Sequence, residues 1–252
     1  MGDPTLRLLD STREILDDEL SQLYAYPDRQ TTWVRANFIS SIDGAATLAG
    51  RSGGLAGPGD QALFGVLRTL ADIIVVGAGT VRIENYAGAH LNVAQRQRRQ
   101  DRGQSEVPRL AIVTRSGHLD RDMPVFTRTE VPPLVLTCAA AAGETRDRLT
   151  GLAEVIDCSD RDPDRVDEAT ALAALGARGQ HRVLTEGGPT LLNSFIEHRL
   201  LDELCLTVAP CVVGGGAPRI ATGTGQVQTA MRCAHLLTDD AGYLYARYVK
   251  GA

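Results

Sequence analysis

The stretch from Val183 to His198, reading Val-Leu-Thr-Glu-Gly-Gly-Pro-Thr-Leu-Leu-Asn-Ser-Phe-Ile-Glu-His, limits the possible folds of this chain more than any other. Arg182, Val183 and Leu184 have the character of the end of a buried strand. Gly187 and Gly188 break that strand with two residues that tolerate any backbone angle. Pro189 suits the first turn of a helix, where its missing N–H is no loss and its fixed φ already matches. Leu191, Leu192, Phe195 and Ile196 then recur at helical spacing. Strand, glycine turn and helix N-terminus together aim free N–H groups and the positive helix end into one turn, an arrangement that suits phosphate. A tight connection with no ligand is the blander reading of Gly-Gly-Pro alone. Glu186, an ionisable group at a strand's C-terminal end, favours a site, because open α/β sheets bind ligands there.

Two further strand ends repeat the pattern. Ile73 to Val76 is a run of four β-branched apolar residues, as in a strand buried on both faces. It ends in Gly77-Ala78-Gly79-Thr80, with a helical turn through Val81. A G-x-G-x-x-G fingerprint would need a third glycine where Arg82 stands, so a Rossmann dehydrogenase is the weakest reading. Arg109 to Val113 ends in Thr114-Arg115-Ser116. Hydroxyls and a guanidinium there match the 2′-phosphate of NADP, with a plain exposed turn as the alternative.

Ahead of these, Trp33 to Ser40 reads as a strand running into Ser41-Ile42-Asp43-Gly44. A glycine-rich loop from Gly50 to Gly59 carries Ser52, and a helix from about Asp60 to Leu70 follows. Its apolar face is Leu63, Phe64, Leu67 and Leu70, with Arg68 towards an edge. The arginine-rich run from Gln95 to Gln104 reads as a solvated loop or helix end. Leu134 to Thr137 and Val155 to Cys158 are short strands, with helices over Ala139 to Thr150 and Val166 to Leu175. Leu201 to Val213 reads as one long strand, and Met231 to Val249 as a closing β-hairpin. Residues 1–30, with Leu16, Leu20 and Leu23 on a short amphipathic helix, are expected as an extension packed on one domain spanning 31–252.

A net charge of −5 gives no overall basic character for nucleic acid. No apolar run approaches a membrane span and no secretion leader is visible. Five scattered cysteines read as reduced thiols in a cytoplasmic protein, and no Cys-x-x-Cys or His-x-x-x-His pair suggests zinc.

Four segments in order resemble the reductase of bacterial riboflavin biosynthesis (the RibD C-terminal type), within the dihydrofolate-reductase-like superfamily. They are Ser40-Ser41-Ile42-Asp43-Gly44; Arg68 with Ala71-Asp72 leading to Val76-Gly77-Ala78-Gly79-Thr80-Val81; Glu186 to Leu191; and Leu201 to Leu204 followed by Ala209-Pro210 and Gly214-Gly215. The similarity covers about Trp33 to Val249. The His-x-Glu and Pro-Cys-x-x-Cys signature of the zinc deaminase sometimes fused to this module is missing, so a stand-alone reductase is expected.

The resemblance implies an α/β fold of the dihydrofolate-reductase-like kind: a mostly parallel central sheet flanked by helices, with a C-terminal antiparallel hairpin. It implies NADPH as hydride donor, a small-molecule pyrimidine substrate and a homodimer. Cofactor contacts are expected at Gly77, Gly79, Thr80, Glu84, Thr114, Arg115, Gly187, Gly188, Pro189, Thr190 and Leu191. Substrate contacts are expected at Ser52, Arg68 and Glu186, and Gly54 stands where the family often has a tryptophan. Asp43 and Glu186 are the two carboxylates expected in catalysis, as orienters of the pyrimidine or as proton relay. The hydride would go to C1′ of an opened ribosylamino group in its imine form.

The chain departs from the family after Gly79-Thr80-Val81. The usual Asp-Asp-Pro and the arginine that grips the sugar phosphate are replaced by Ile83-Glu84-Asn85-Tyr86-Ala87-Gly88-Ala89-His90-Leu91. A pterin would not need that arginine, so a dihydrofolate or dihydropterin reductase is the alternative. A non-catalytic NADPH-binding module is a third reading, which Asp43, Arg68 and Glu186 oppose.

Overall fold

Ile73, Ile74, Val75 and Val76 all lie at the centre of the molecule, at 1% exposure or less, as their unbroken apolar run predicts for a strand covered on both faces. The computed structural model describes residue 15, residues 17–27 and residues 31–251; the remainder of the expected N-terminal extension lies outside the described residues. In chain order the elements are α1 (Asp17–Leu23), β1 (Trp33–Ser41), α2 (Pro58–Leu70), β2 (Ile73–Gly77), α3 (Ala78–Ile83), α4 (Val93–Asp101), β3 (Arg109–Val113), α5 (Pro124–Thr127), β4 (Leu134–Thr137), α6 (Ala139–Arg148), β5 (Glu154–Asp157), α7 (Glu168–Gly176), β6 (Arg182–Thr185), α8 (Pro189–Glu197), β7 (Glu203–Ala209), β8 (Met231–Thr238) and β9 (Leu244–Lys250).

The strands form one sheet in the order β5-β4-β3-β2-β6-β1-β7-β9-β8. The pairs from β5 across to β7 are parallel, while β9 runs antiparallel to both β7 and β8. The chain leaves β1, skips one position to lay down β2, and works outwards through β3, β4 and β5. It then returns to insert β6 between β2 and β1, with Thr185 level with both Ala36 and Val75. The strand order therefore reverses beside β6, and ligand crevices open beyond the carboxyl ends of strands at such a point. This is the mostly parallel α/β sheet with a terminal antiparallel hairpin that the resemblance implies.

Side chains alternate between two cores. Ile74, Val76, Leu110, Ile112 and Leu184 meet Leu63, Leu67 and Leu70 of α2 on one face. Ile73, Val75, Ala111, Leu134 and Val183 meet α7 and α8 on the other, through Leu172, Leu175, Leu191, Leu192 and Phe195.

Two expectations need correction. The strand read over Leu201 to Val213 is only Glu203–Ala209, because Pro210 has no N–H to donate to the ladder. The arginine run was expected to be solvated, yet Arg99 is fully buried. Its guanidinium donates to the carbonyls of Thr69 (3.1 Å), Ala71 (2.5 Å) and Ser105 (2.7 Å). The bonds to Thr69 and Ala71 satisfy carbonyls at and just past the end of α2 that no helical amide reaches. Burial lowers the Arg99 pKa to about 10, so the group remains a cation at neutral pH.

Candidate active site

The site is built first from backbone. Gly77 ends β2, and its N–H donates to the carbonyl of Gly187 at 2.7 Å, so the turns after β2 and β6 lock together. Gly187 has φ +112°, a conformation that favours glycine, and the Gly187–Gly188 peptide is cis. Gly188 precedes Pro189 at the first turn of α8, and no side chain caps that helix. A Cβ on Gly188 would stand 2.6 Å from Thr80 Oγ1, whereas one on Gly79 would meet no protein atom within 4 Å.

In front of these turns lies a cavity of about 820 Å³, in the range of a cofactor site. Its lining brings together Gly77, Gly79, Thr80, Thr114, Arg115, Gly188, Pro189, Thr190 and Leu191, nine of the eleven expected cofactor contacts. Thr114 is buried, and its Oγ1 accepts from Gly117 N at 3.2 Å, which folds the turn after β3. Arg115 is exposed. Gly187 lies behind the lining, holding Gly77. Glu84 is elsewhere, because its Oε1 accepts from both the amide (2.8 Å) and the hydroxyl (2.9 Å) of Ser52. The expected cofactor contact and the expected substrate contact are therefore bonded to each other. Their bonds fasten the glycine-rich loop, with its short 3-10 turn at Ser52–Gly54, to the end of α3. Gly54 packs there against Leu48, which a Cβ would meet at 3.1 Å.

Arg68 and Glu186 meet on the α2 side of the sheet. Arg68 Nε reaches Glu186 Oε1 and Nη2 reaches Oε2, both at 2.7 Å, a bidentate pair. The Tyr86 hydroxyl donates to the same Oε2 at 2.8 Å. The Glu186 side chain is 1% exposed and that of Arg68 17%, so the carboxylate is enclosed while the guanidinium still reaches open space. Arg68 also lies over the Phe64 ring, 4.2 Å from its centroid. Burial opposes its charge, but the ion pair prevails and the Arg68 pKa is raised. Burial, with Glu186 adding to it, pushes the Tyr86 pKa well above the ordinary tyrosine value, so Tyr86 keeps its proton.

Asp43 is held by three hydrogen bonds, which bear on the proton-relay part of its expected role. Ser41 Oγ donates to Oδ1 at 2.5 Å, Val213 N to the same oxygen at 3.1 Å, and Gly214 N to Oδ2 at 2.7 Å. These bonds, the Ser41 hydroxyl first, hold its pKa at about 2. An acid so strong carries no proton to give near neutrality. Asp43 also ties the glycine-rich segment after β7 to the end of β1.

Sequence reasoning missed Tyr86 and Arg165. Tyr86 follows the reversal that ends α3, where its N–H donates to Val81 O at 3.1 Å; the one local signal for that reversal is Asn85, in the left-handed conformation at φ +54°. Arg165 lines the cavity from the segment before α7, in a run of aspartates that reads as surface. Among the described residues no cluster of His, Cys, Asp or Glu could hold a metal ion, and no helix is long and apolar enough to cross a membrane.

The RibD C-terminal domain family model matches residues 32–245. The 2,5-diamino-6-ribosylamino-4(3H)-pyrimidinone 5′-phosphate reductase of Archaeoglobus fulgidus is 26% identical over 193 residues, which are 76% of this chain and 86% of that protein. The reductase of the same name from Methanothermobacter thermautotrophicus is 30% identical over 73% of this chain and 80% of its own length. Among solved structures, a pyrimidine reductase-like protein of Corynebacterium diphtheriae superposes with a TM-score of 0.79 at 30% identity, covering 92% of this chain and 98% of that one.

Proposed function

The chain belongs to the RibD C-terminal domain family, and on that premise we propose that it is an NADPH-dependent reductase of a ribosylaminopyrimidine 5′-phosphate. The relatives carry the name of a diaminopyrimidinone ribosylamino phosphate reductase, which favours this substrate over a dihydropterin. The observation that carries the cofactor assignment is the cavity, where an uncapped helix N-terminus, two side-chain-free turns and arginines meet.

The residues fit a dinucleotide. The Thr190 and Leu191 amides at the start of α8 suit a pyrophosphate, and the absence of side chains at Gly79 and Gly188 allows its close approach. Thr114, Arg115 and Ser116 would take the adenosine end. When bound, the nicotinamide supplies the hydride.

The chain's own residues then orient the pyrimidine and manage charge. Arg68 spends Nε and Nη2 on Glu186, which leaves Nη1 to reach a substrate oxygen. Glu186 acts through Arg68 and Tyr86, setting the rotamer of one and holding the hydroxyl of the other. Tyr86 still has lone-pair capacity to accept from a substrate N–H. The Ser52–Glu84 bonds hold the glycine-rich loop beside α3 as one wall of the site.

The test is NADPH oxidation, followed at its absorbance band, with the diaminopyrimidinone ribosylamino phosphate, its deaminated uracil counterpart and dihydrofolate in parallel. Turnover with either pyrimidine supports the reading. Turnover with dihydrofolate alone overturns it.

A further inference from the structure

We propose that Arg165 is a specificity-determining residue that closes with Arg115 on the 2′-phosphate of the cofactor, an inference that rests on the NADPH reading above. The two arginines come from segments 50 residues apart in sequence and line the same cavity as Thr114 and Ser116. Both side chains are exposed, and neither has an ion-pair partner among the described residues. A cavity that gathers unpaired cations holds a field waiting for an anion.

The surroundings of Arg165 sharpen the point. It is flanked by Asp160, Asp162, Asp164 and Asp167, yet it pairs with none of them. Asp162 Oδ1 accepts from the Asp164 amide at 2.9 Å and Asp167 Oδ1 from the Thr170 amide at 2.7 Å, so two of the four carboxylates each commit an oxygen to backbone, and Asp160 lies 4.0 Å from Arg161. The segment is also fixed at both ends. Ala140 N donates to Pro163 O at 2.9 Å, and Asp167 N to Cys158 O at 2.8 Å. Val166 packs into the α7–α8 core. Arg165 is therefore presented by an anchored loop rather than swinging free.

Position selects the 2′-phosphate over the pyrophosphate. The uncapped start of α8 lies beside β6, and Arg115 and Arg165 project from beyond β3 and β5, towards the other end of the strand order. A dinucleotide with its pyrophosphate on α8 runs its adenosine in that direction. Arg82, the third arginine of the lining, is bound to His118 O at 2.7 Å. Glu168, the lining carboxylate, is turned towards His198 Nδ1, 3.3 Å away. Arg115 and Arg165 are left as the available pair.

Calorimetric titration of the intact protein with NADPH and with NADH, for wild type, Arg165→Gln, Arg165→Lys and Arg115→Gln, tests this without any substrate. Arg165→Gln should weaken NADPH binding about tenfold or more and change NADH binding less than about twofold. Arg165→Lys should recover part of the loss, since a point charge replaces part of a fork. A wild type that prefers NADPH, with a preference unchanged in Arg165→Gln, overturns the role of Arg165 and leaves the cofactor reading intact. Equal loss for both cofactors also overturns it, because that marks a damaged loop. A wild type without preference removes the NADPH reading and this inference together.

Discussion

The amide of Gly77 donates to the carbonyl of Gly187 at 2.7 Å, so the glycine turns after β2 and β6 form a single backbone platform. Two segments 110 residues apart meet because β6 is inserted beside β2. Thr80 completes the contact, with its hydroxyl below Gly188. The platform offers amides and little side-chain bulk, which is what a pyrophosphate requires of its support.

Gly79→Ala separates ligand from fold at that platform. The added methyl meets no protein atom within 4 Å, and alanine is the better helix former by up to about 1 kcal/mol. Thermal stability should be unchanged or slightly higher, while the NADPH dissociation constant rises about tenfold. Gly188→Ala, with its Cβ 2.6 Å from Thr80 Oγ1, should weaken NADPH at least as much and lower the melting temperature too. Calorimetric titration beside a thermal melt checks both, and Gly79→Ala binding NADPH normally would remove the platform from the cofactor site.

Asp43→Asn tests whether that carboxylate does chemistry. Its folded pKa of about 2 lies below the ordinary aspartate value. The stability it contributes is therefore present above about pH 4 and is lost as pH falls towards 2. Turnover between pH 5 and 8 should keep the wild-type pH profile, because the group does not titrate there. The visible effect should be faster limited proteolysis in residues 211–217, where it holds the amides of Val213 and Gly214. A new or missing limb in the pH profile would give Asp43 the proton-relay role.

The parts of this site that were legible in the sequence are those fixed by local rules. Gly-Gly-Pro after an apolar strand dictates a turn and a helix start, and Ile-Ile-Val-Val dictates a strand buried on both sides. The place of Asp43 at the end of β1 is local information, whereas its partners at Val213 and Gly214 lie 170 and 171 residues away. Arg68 and Glu186 were read as separate substrate contacts, since no pattern reveals that α2 and the end of β6 bring them within 2.7 Å. Arg99 was read as solvated because its run is polar throughout. Its burial follows only once α4 crosses the end of α2.

Tyr86→Phe removes one donor from a buried carboxylate and leaves Arg68 in place. A single hydrogen bond to a charged group contributes about 1.5–3 kcal/mol, and unfolding should show a loss in that range. Turnover should fall more than NADPH affinity, because Tyr86 lies on the substrate side, off the cofactor cavity. Glu186→Gln leaves Arg68 without its counter-charge and should cost about 3 kcal/mol, with the kcat loss exceeding that of Tyr86→Phe. Steady-state kinetics beside urea unfolding separates the two effects. NADPH affinity falling while kcat holds would move both residues to the cofactor site.

The opposite end of the sheet decides whether the N-terminal segment is dispensable. Glu203 is fully buried between Arg35, at 2.6 and 3.2 Å, and Arg247, at 2.8 and 3.0 Å. Arg247 also donates to Leu23 O at 2.5 Å, and the Arg35 guanidinium lies 3.9 Å from the Tyr26 ring centroid. Tyr24 is fully buried beside them. The segment through Tyr26 thus shields a buried ion network from water, where Coulomb attraction is strongest. Burial pushes the Glu203 pKa up, but Arg35 and Arg247 together hold it below the ordinary glutamate value. Its contribution is fully present above the usual glutamate range and is lost as pH falls below about 4.3. Glu203→Gln strands two guanidinium groups and should destabilise by about 3–5 kcal/mol, with the penalty shrinking as the pH is lowered through that range. Removing residues 1–26 should lower stability by a comparable amount even though the active site is at the other end of the strands. Urea unfolding at pH 7 and pH 4 measures both, and a truncated chain as stable as the full one would make the segment an ornament rather than a part of the fold.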